Sequence, residues 1–358
     1  MPSDRQKTPR SSIQIGEALV GAGRPVFVVA EVSANHRQDF RTACAIVEAA
    51  KESGADAIKL QTYTPETLTI NCDRDCFRIG EGTIWEGRTL YDLYAEAYTP
   101  WEWQPRLKAL ANELGLILFS TPFDSSAVEF LETLDVPAYK IASFELVDLP
   151  LIRTAAATGK PIILSTGMAT LEEIDEAVRT VLEEGNDSLA LLKCTSAYPA
   201  LAEEMNLAGI AHLRETFGAP VGLSDHTLGT TVPIAAVALG AAIVEKHLTL
   251  SRDDGGPDAA FSLEPKEFRE MVEAVRTVEA AIGSPSYEVG AQEQASNGFR
   301  RSLFVVKDIE AGEEFTNQNI RSIRPADGLP PKHLPDVLGR EAVRRLERGT
   351  PLRWEDVG

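Results

Sequence analysis

The chain has 358 residues, 44% hydrophobic and 25% charged, a balance typical of a globular protein with an ample core. Its formal net charge of −19 opposes nucleic acid and anionic membranes as partners, so an anionic ligand would need a local basic cluster. No apolar run approaches the ~20 residues of a membrane span, MPSDRQKTPRSS lacks the apolar core of a secretory signal, and four cysteines make no disulfide framework. The cytoplasm is the expected compartment.

Residues 1–12 read as a short disordered tail. From 13 to 282, eight apolar, β-branched segments recur: Val26–Ser33, Ala55–Thr62, Leu114–Thr121, Val136–Ser143, Lys160–Thr166, Leu189–Thr195, Ala219–Asp225 and Ala241–His247. Amphipathic stretches such as FRTACAIVEAAKESG and LEEIDEAVRTVLEEG run between them and often stop at glycine, as helices do. Near-continuous apolar strands alternating with helices mean a parallel sheet. Eight such units predict an α/β (β/α)8 TIM barrel. A doubly wound open sheet is the competitor, weakened because no GxGxxG follows the first strand.

One connection, residues 62–105, is unusually long and carries Trp85, Tyr91, Tyr94, Tyr98, Trp101 and Trp103. It reads equally as a helical lid packed by its aromatics and as an apolar wall over a ligand. Within it, the Cys72/Cys76 pair is weak evidence for zinc. Residues 283–299 read as a linker, and 300–358 as a small β-rich domain. That domain has an internal echo: Asp308–Ile320 and Arg345–Val357 align at Ile309/Leu346, Gly312/Gly349, Phe315/Leu352 and Ile320/Val357.

Nearly every predicted barrel strand ends in polar residues that a buried sheet does not need. A TIM barrel places its chemistry at that rim. His226 and His247 follow the last two strands at matching places and suit a divalent metal with open positions. The competing reading bonds them to rim carboxylates such as Asp225 and Glu245. Lysine in a parallel strand is costly unless paired. Lys59 and Lys140, with Thr121, Ser143 and Ser165, would form an anion site of two charges and three hydroxyls.

Taken in order, AEVSANH, ADAIKLQTYTPETL, FSTPFD, VPAYKIASFE, LSTGMATLEEI, LLKCTSAYP, GLSDHT, EKHLTL and GGPDAAFSLEP resemble the sialic acid synthase (N-acetylneuraminate synthase) family. RRSLFVVKDIEAGEEFTNQNIRSIRPADGL resembles its C-terminal antifreeze-like (SAF, β-clip) domain. The resemblance runs from Ile13 to Val357, and LYDLYAEAYTPWEW, KCTSAYPA and FSLEP are most similar to the family's pseudaminic acid synthase branch.

The resemblance implies a TIM-barrel enzyme that condenses phosphoenolpyruvate with an open-chain amino sugar, releasing phosphate and a nine-carbon 2-keto acid. It implies a divalent metal (Mn2+, Mg2+ or Co2+) on His226 and His247, and an acid/base carboxylate at Glu31. It assigns Lys59, Thr121, Lys140, Ser143, Ser165 and Ser224 to phosphoenolpyruvate, and Gln61, Tyr198 and Asp258 to the sugar. It further implies a domain-swapped homodimer in which Arg324 reaches the partner's site. Two departures stand out. The family's RPGxG turn is replaced by Ala326-Asp327-Gly328, and Ser196 stands where sialic acid synthases often have Asn. The second favours the pseudaminate branch over N-acetylneuraminate or legionaminate synthesis. The remoter alternatives are a Schiff-base aldolase using Lys193 and a carbohydrate- or ice-binding protein using the tail.

Overall fold

The computed structural model describes residues 8–358. The chain divides into two compact units, one ending at Gly283 and the other spanning Ser284–Gly358.

The first unit opens with an antiparallel hairpin, β1 (Ser12–Ile15) and β2 (Ala18–Gly21). It was not legible as strands, because four-residue segments carry too little periodicity. The expected tail over 1–12 is therefore shorter at its C-terminal side. Arg10 donates its backbone N–H to Asp187 O at 3.0 Å, and Ser12 pairs with Gly21. Residues 1–7 of that reading lie outside the described chain.

The eight predicted strands follow as β3 (Phe27–Glu31), β4 (Ala57–Thr62), β5 (Ile117–Pro122), β6 (Tyr139–Ile141), β7 (Ile162–Ser165), β8 (Leu189–Cys194), β9 (Val221–Asp225) and β10 (Ile243–His247). They close into one barrel in sequence order, with β10 pairing in parallel with β3. The doubly wound alternative is thereby excluded. Helices lie between the strands, and their starts follow the sequence: Asp124 and Asp148 accept backbone N–H bonds at two N-termini, and Thr170 with Glu173 forms a capping box at a third.

Side chains alternate across a strand, so each strand serves two layers. The outward residues, among them Val28, Ile58, Leu118, Leu164, Leu191 and Leu223, pack under the helices. The inward residues Phe27, Val29, Ala57, Phe119, Ile163, Leu192 and Ile243 form a separate cluster with Ile13, Ile15 and Val20 of the hairpin. The hairpin thus plugs the N-terminal end of the barrel. At Gly222, also inward, a Cβ would lie 2.6 Å from the Ile243 side chain and 2.8 Å from that of Leu192, so only glycine fits this floor.

The second unit contains β11 (Ser302–Val305) and β12 (Ile320–Ile323), paired antiparallel. The internal echo is structural. Ile309 and Leu346 exchange reciprocal backbone hydrogen bonds of 2.9 Å, and Phe315 and Leu352 are both fully buried. Gly312 and Gly349 hold left-handed φ of 81° and 94°, which favours glycine at both turns. The altered Ala326-Asp327-Gly328 turn is organised on Ser302, whose hydroxyl accepts from the N–H groups of Asp327 (3.2 Å) and Gly328 (2.8 Å) and donates to Pro325 O (2.7 Å). The segment read as linker contains two short helical turns, Ala291–Gln294 and Ala295–Phe299. No helix among the described residues is long and apolar enough to cross a membrane.

Candidate active site

At the C-terminal end of the barrel the inward face turns from apolar to charged. Lys59 on β4 lies 2.6 Å from Glu31 on β3 and 3.7 Å from Glu245 on β10. Lys140 on β6 lies 3.2 Å from Glu245, and the Ser224 hydroxyl donates to the same carboxylate at 2.9 Å. All four charged residues are buried. Burial of ions on this scale survives only with paired charges, and here two ammoniums face two carboxylates. Sequence reasoning took the lysines for an unopposed anion site and placed Glu245 beside a histidine only in its competing reading. The correction follows from alternation, which puts Glu245 and His247 on one inward face of β10.

The carboxylates differ. Burial raises Glu31 above the ordinary carboxylate range, against the pull of Lys59. Burial would also raise Glu245, but Lys140 and Lys59 together outweigh it and hold that group low. Lys59 is raised because Glu245 and Glu31 outweigh its burial, whereas burial lowers Lys140. Glu31 is thus the carboxyl suited to carrying a proton, and Glu245 the permanent anion.

Around this core, Gln61 donates to Glu31 at 3.2 Å and to the Ser33 hydroxyl at 3.0 Å. Ser33 adopts a left-handed φ of 45°, which turns its N–H back to Glu31 at 3.1 Å while its hydroxyl donates to Asp258. Thr121 accepts from Lys59 at 3.2 Å, Ser143 and Ser196 share a 2.7 Å bond, and the buried Ser165 hydroxyl has no protein partner.

His226 and His247 meet with ring centroids 5.3 Å apart, and Tyr198 lies 4.5 Å from His226. Neither histidine is held by a rim carboxylate. His226 Nδ1 donates to Thr195 O at 3.0 Å, which leaves the Nε2 lone pair for a ligand. His247 Nδ1 is buried without a partner, and burial above all, with the nearby ammonium of Lys59, keeps its imidazole neutral. Asp225 faces outward instead. It pairs with Lys246 at 2.5 Å, both side chains are fully buried, and it accepts from Thr227 Oγ1 at 2.9 Å.

The two imidazoles fit a divalent metal as two of its ligands: one is fixed in a single tautomer, the other is neutral with an unsatisfied nitrogen. Among the described residues no group of three or more His, Cys, Asp or Glu is arranged to hold a metal, so other positions would fall to water or substrate. Cys72 and Cys76 are free thiols outside any such group.

These residues line one cavity of about 530 Å3, the size of a small-molecule site. It gathers Lys59, Gln61, Lys140, Ser143, Ser165, Tyr198, Ser224, His226, His247 and Asp258 of the expected set. Glu31 and Thr121 reach it through their bonds to Lys59. Arg324 belongs to the other unit, directly after β12. Lys193 faces outward and donates to Cys194 O at 2.8 Å, which removes the Schiff-base candidate from the cavity. Cys194 and Glu145 are among the lining residues that escaped sequence reasoning. Cys194 sits inward one step above Leu192, and its apolar character hid it. Glu145 opens a three-residue 3-10 turn, Glu145–Val147, too short for periodicity to orient it; burial pushes its carboxyl up to about 7 and leaves Oε2 unpartnered.

Comparison with known proteins bears directly on this arrangement. The sequence pattern of the NeuB family matches residues 46–287, and that of the SAF domain matches 300–358. The chain belongs to the NeuB family. It is 47% identical over 335 residues to a pseudaminic acid synthase of Helicobacter pylori, spanning 93% of this chain and 98% of that protein. It is 36% identical over 342 residues to an N,N'-diacetyllegionaminic acid synthase of Legionella pneumophila, spanning 94% and 96%. Among solved structures it resembles a sialic acid synthetase of Leptospira borgpetersenii in complex with citrate, with a TM-score of 0.71, 32% identity, and coverage of 80% of this chain and 95% of that one. The barrel with its small C-terminal domain is therefore the architecture of this family.

Proposed function

We propose that this protein catalyses the synthesis of pseudaminic acid. It condenses phosphoenolpyruvate with the open-chain form of 2,4-diacetamido-2,4,6-trideoxy-β-L-altropyranose and water, releasing inorganic phosphate. The observation that carries this reading is the near-full-length identity to the Helicobacter enzyme, well above that to the legionaminate synthase.

In this reading Lys59, Lys140, Thr121, Ser143, Ser165 and Ser224 hold phosphoenolpyruvate. Ser165 offers an unpartnered hydroxyl, and the lysines exchange part of their pairing with Glu31 and Glu245 for the incoming anion. Gln61, Tyr198 and Asp258 orient the sugar. His226 and His247 would hold a divalent ion (Mn2+, Mg2+ or Co2+), whose chemistry when bound is Lewis-acid polarisation of a carbonyl oxygen. The phosphoenolpyruvate methylene carbon bonds to the aldehyde carbon, and the enol carbon becomes electron-poor. Glu31 stabilises that charge as a carboxylate and takes a proton from the water that adds there. Glu31 passes that proton to the former aldehyde oxygen. The C–O bond to phosphate then breaks as the added hydroxyl becomes the keto group and its proton leaves with the phosphate, with Lys59 and Lys140 stabilising the departing anion. Holding both substrates in one cavity would itself lower the barrier by several kcal/mol, on the order of 7 or more.

Arg324 of a partner chain completes the site in a domain-swapped homodimer. Exposed apolar side chains on the loops after β6 to β9, Phe144, Val147, Met168, Leu201 and Leu228, support a cover of this kind. The reading puts the reaction in the cytoplasm, where phosphoenolpyruvate is made.

The test is phosphate release from phosphoenolpyruvate with the altrose derivative, its mannose-configured epimer and N-acetylmannosamine, in the presence of Mn2+. Turnover is expected with the altrose derivative, abolished by EDTA and restored by Mn2+. Preference for either other sugar transfers the assignment to legionaminate or N-acetylneuraminate synthesis. 18O in the bridging oxygen is expected in the phosphate; label kept in the sugar acid contradicts C–O cleavage.

A further inference from the structure

The cavity has two unlike sides. One is the barrel mouth, where the inward strand residues, Cys194 apart, are charged or polar. The other is built largely by the insertion 62–105. Leu90, Leu93, Tyr94 and Ala97 all line it, and they stand at i, i+3, i+4 and i+7 of the helix Leu90–Ala97. That spacing is the apolar stripe of an amphipathic helix, which ordinarily seeks a core. Here the stripe faces the cavity, and Leu68 and Ile79 extend it.

This wall is held in place. Thr89 caps the helix by accepting from Asp92 N at 3.1 Å. The Tyr63 ring meets Tyr94 edge-on at 5.9 Å and Phe123 at 5.0 Å. Trp101 stacks on Phe130 at 4.7 Å and donates its indole N–H to Tyr63 O at 3.1 Å. Trp85, also lining the cavity, donates to Pro257 O at 2.9 Å beside Asp258. The aromatics of the insertion thus divide their labour. Trp101 and Trp103 pack the insertion onto the barrel, while Trp85 and Tyr94 face the ligand space.

A sugar hydroxyl pressed on leucines loses its water without gaining a partner, whereas a methyl group gains by leaving water. We propose that this wall is the specificity determinant of the site. It receives the methyl groups of a sugar aldehyde that is deoxygenated at its terminal carbon and N-acylated, and it disfavours the counterpart with a terminal hydroxyl. The inference rests on the reading of the protein as a phosphoenolpyruvate–sugar aldehyde synthase. Leu93, only 7% exposed, stands at the centre of the stripe.

The experiment compares kcat/KM by phosphate release for two sugars identical except at the terminal carbon, methyl against hydroxymethyl, each in altro and manno configuration. Wild type is expected to favour the methyl sugar by about 10- to 100-fold, the discrimination one such group supports in an apolar pocket. Leu93→Asn is expected to lower kcat/KM for the methyl sugar about tenfold and bring the ratio near one. Its KM for phosphoenolpyruvate should be unchanged, and Leu93→Met should keep the wild-type ratio. Leu90→Asn, at a half-buried position, decides the matter if Leu93→Asn does not fold. Tyr91→Phe, whose hydroxyl reaches Glu66 at 2.6 Å, should leave the ratio intact. A wild-type ratio within twofold of one, or a ratio untouched by both asparagine variants, overturns the proposal. Turnover confined to the manno pair overturns the pseudaminate reading instead and leaves the wall's role standing.

Discussion

The floor and the mouth of this barrel are built by the same strands on the same face, two residues apart. Val29 is followed inward by Glu31, Ala57 by Lys59, Phe119 by Thr121, Ile163 by Ser165, Leu192 by Cys194, Gly222 by Ser224 and Ile243 by Glu245. One step along each strand exchanges an apolar core for a polar site. The floor is dry and sealed by the hairpin, so its side chains gain by leaving water. The mouth buries two lysines and two glutamates whose mutual pairing only offsets their desolvation. The contrast assigns stability to the lower layers and chemistry to the upper ones.

The sharpest way to break this comparison is to exchange the effects. Phe119→Ala removes a fully buried ring from the floor and should cost about 3–5 kcal/mol in denaturant unfolding. Phosphate release per folded molecule should stay within a few-fold. Lys59→Met should do the reverse, lowering kcat/KM about 10²–10³-fold with a smaller loss of stability than Phe119→Ala. Equal stability losses for the two would mean that the charged mouth also holds the fold together.

A smaller effect is expected at Glu145, on the edge of the cavity. Its carboxyl is pushed up to about 7 by burial, so the folded chain binds this proton more tightly than the unfolded one. The contribution favours the fold at low pH and is lost as pH rises through about 7. Between about pH 5 and 8, the Tm of wild type should therefore fall relative to that of Glu145→Gln. Parallel curves would show that the carboxyl titrates in its ordinary range.

Much of this was legible because the strand period is two and barrel chemistry sits at strand ends. The eight strands, the inward lysines and the paired histidines all followed from those rules. The roles of the acidic residues did not. Glu245 stands two residues before its histidine and Asp225 one before its own, so Glu245 turns in to the lysines and Asp225 out to Lys246. The competing reading, with both as histidine partners, ignored the alternation that separates them. The hairpin plug was missed because its apolar residues are few, and the insertion's two roles because a stripe on one helix does not say what it faces.

The sequence by itself determined the alternation of strand and helix, the family, and the polar strand ends that form the rim, because these depend on local periodicity and motif order. Only the tertiary structure decided that Glu31 and Glu245 close the charges of Lys59 and Lys140, that neither histidine is held by a carboxylate, and that the Leu90–Ala97 stripe faces a cavity. The reason is that pairing and burial join residues distant along the chain, and their energies depend on the surroundings that closure of the barrel creates.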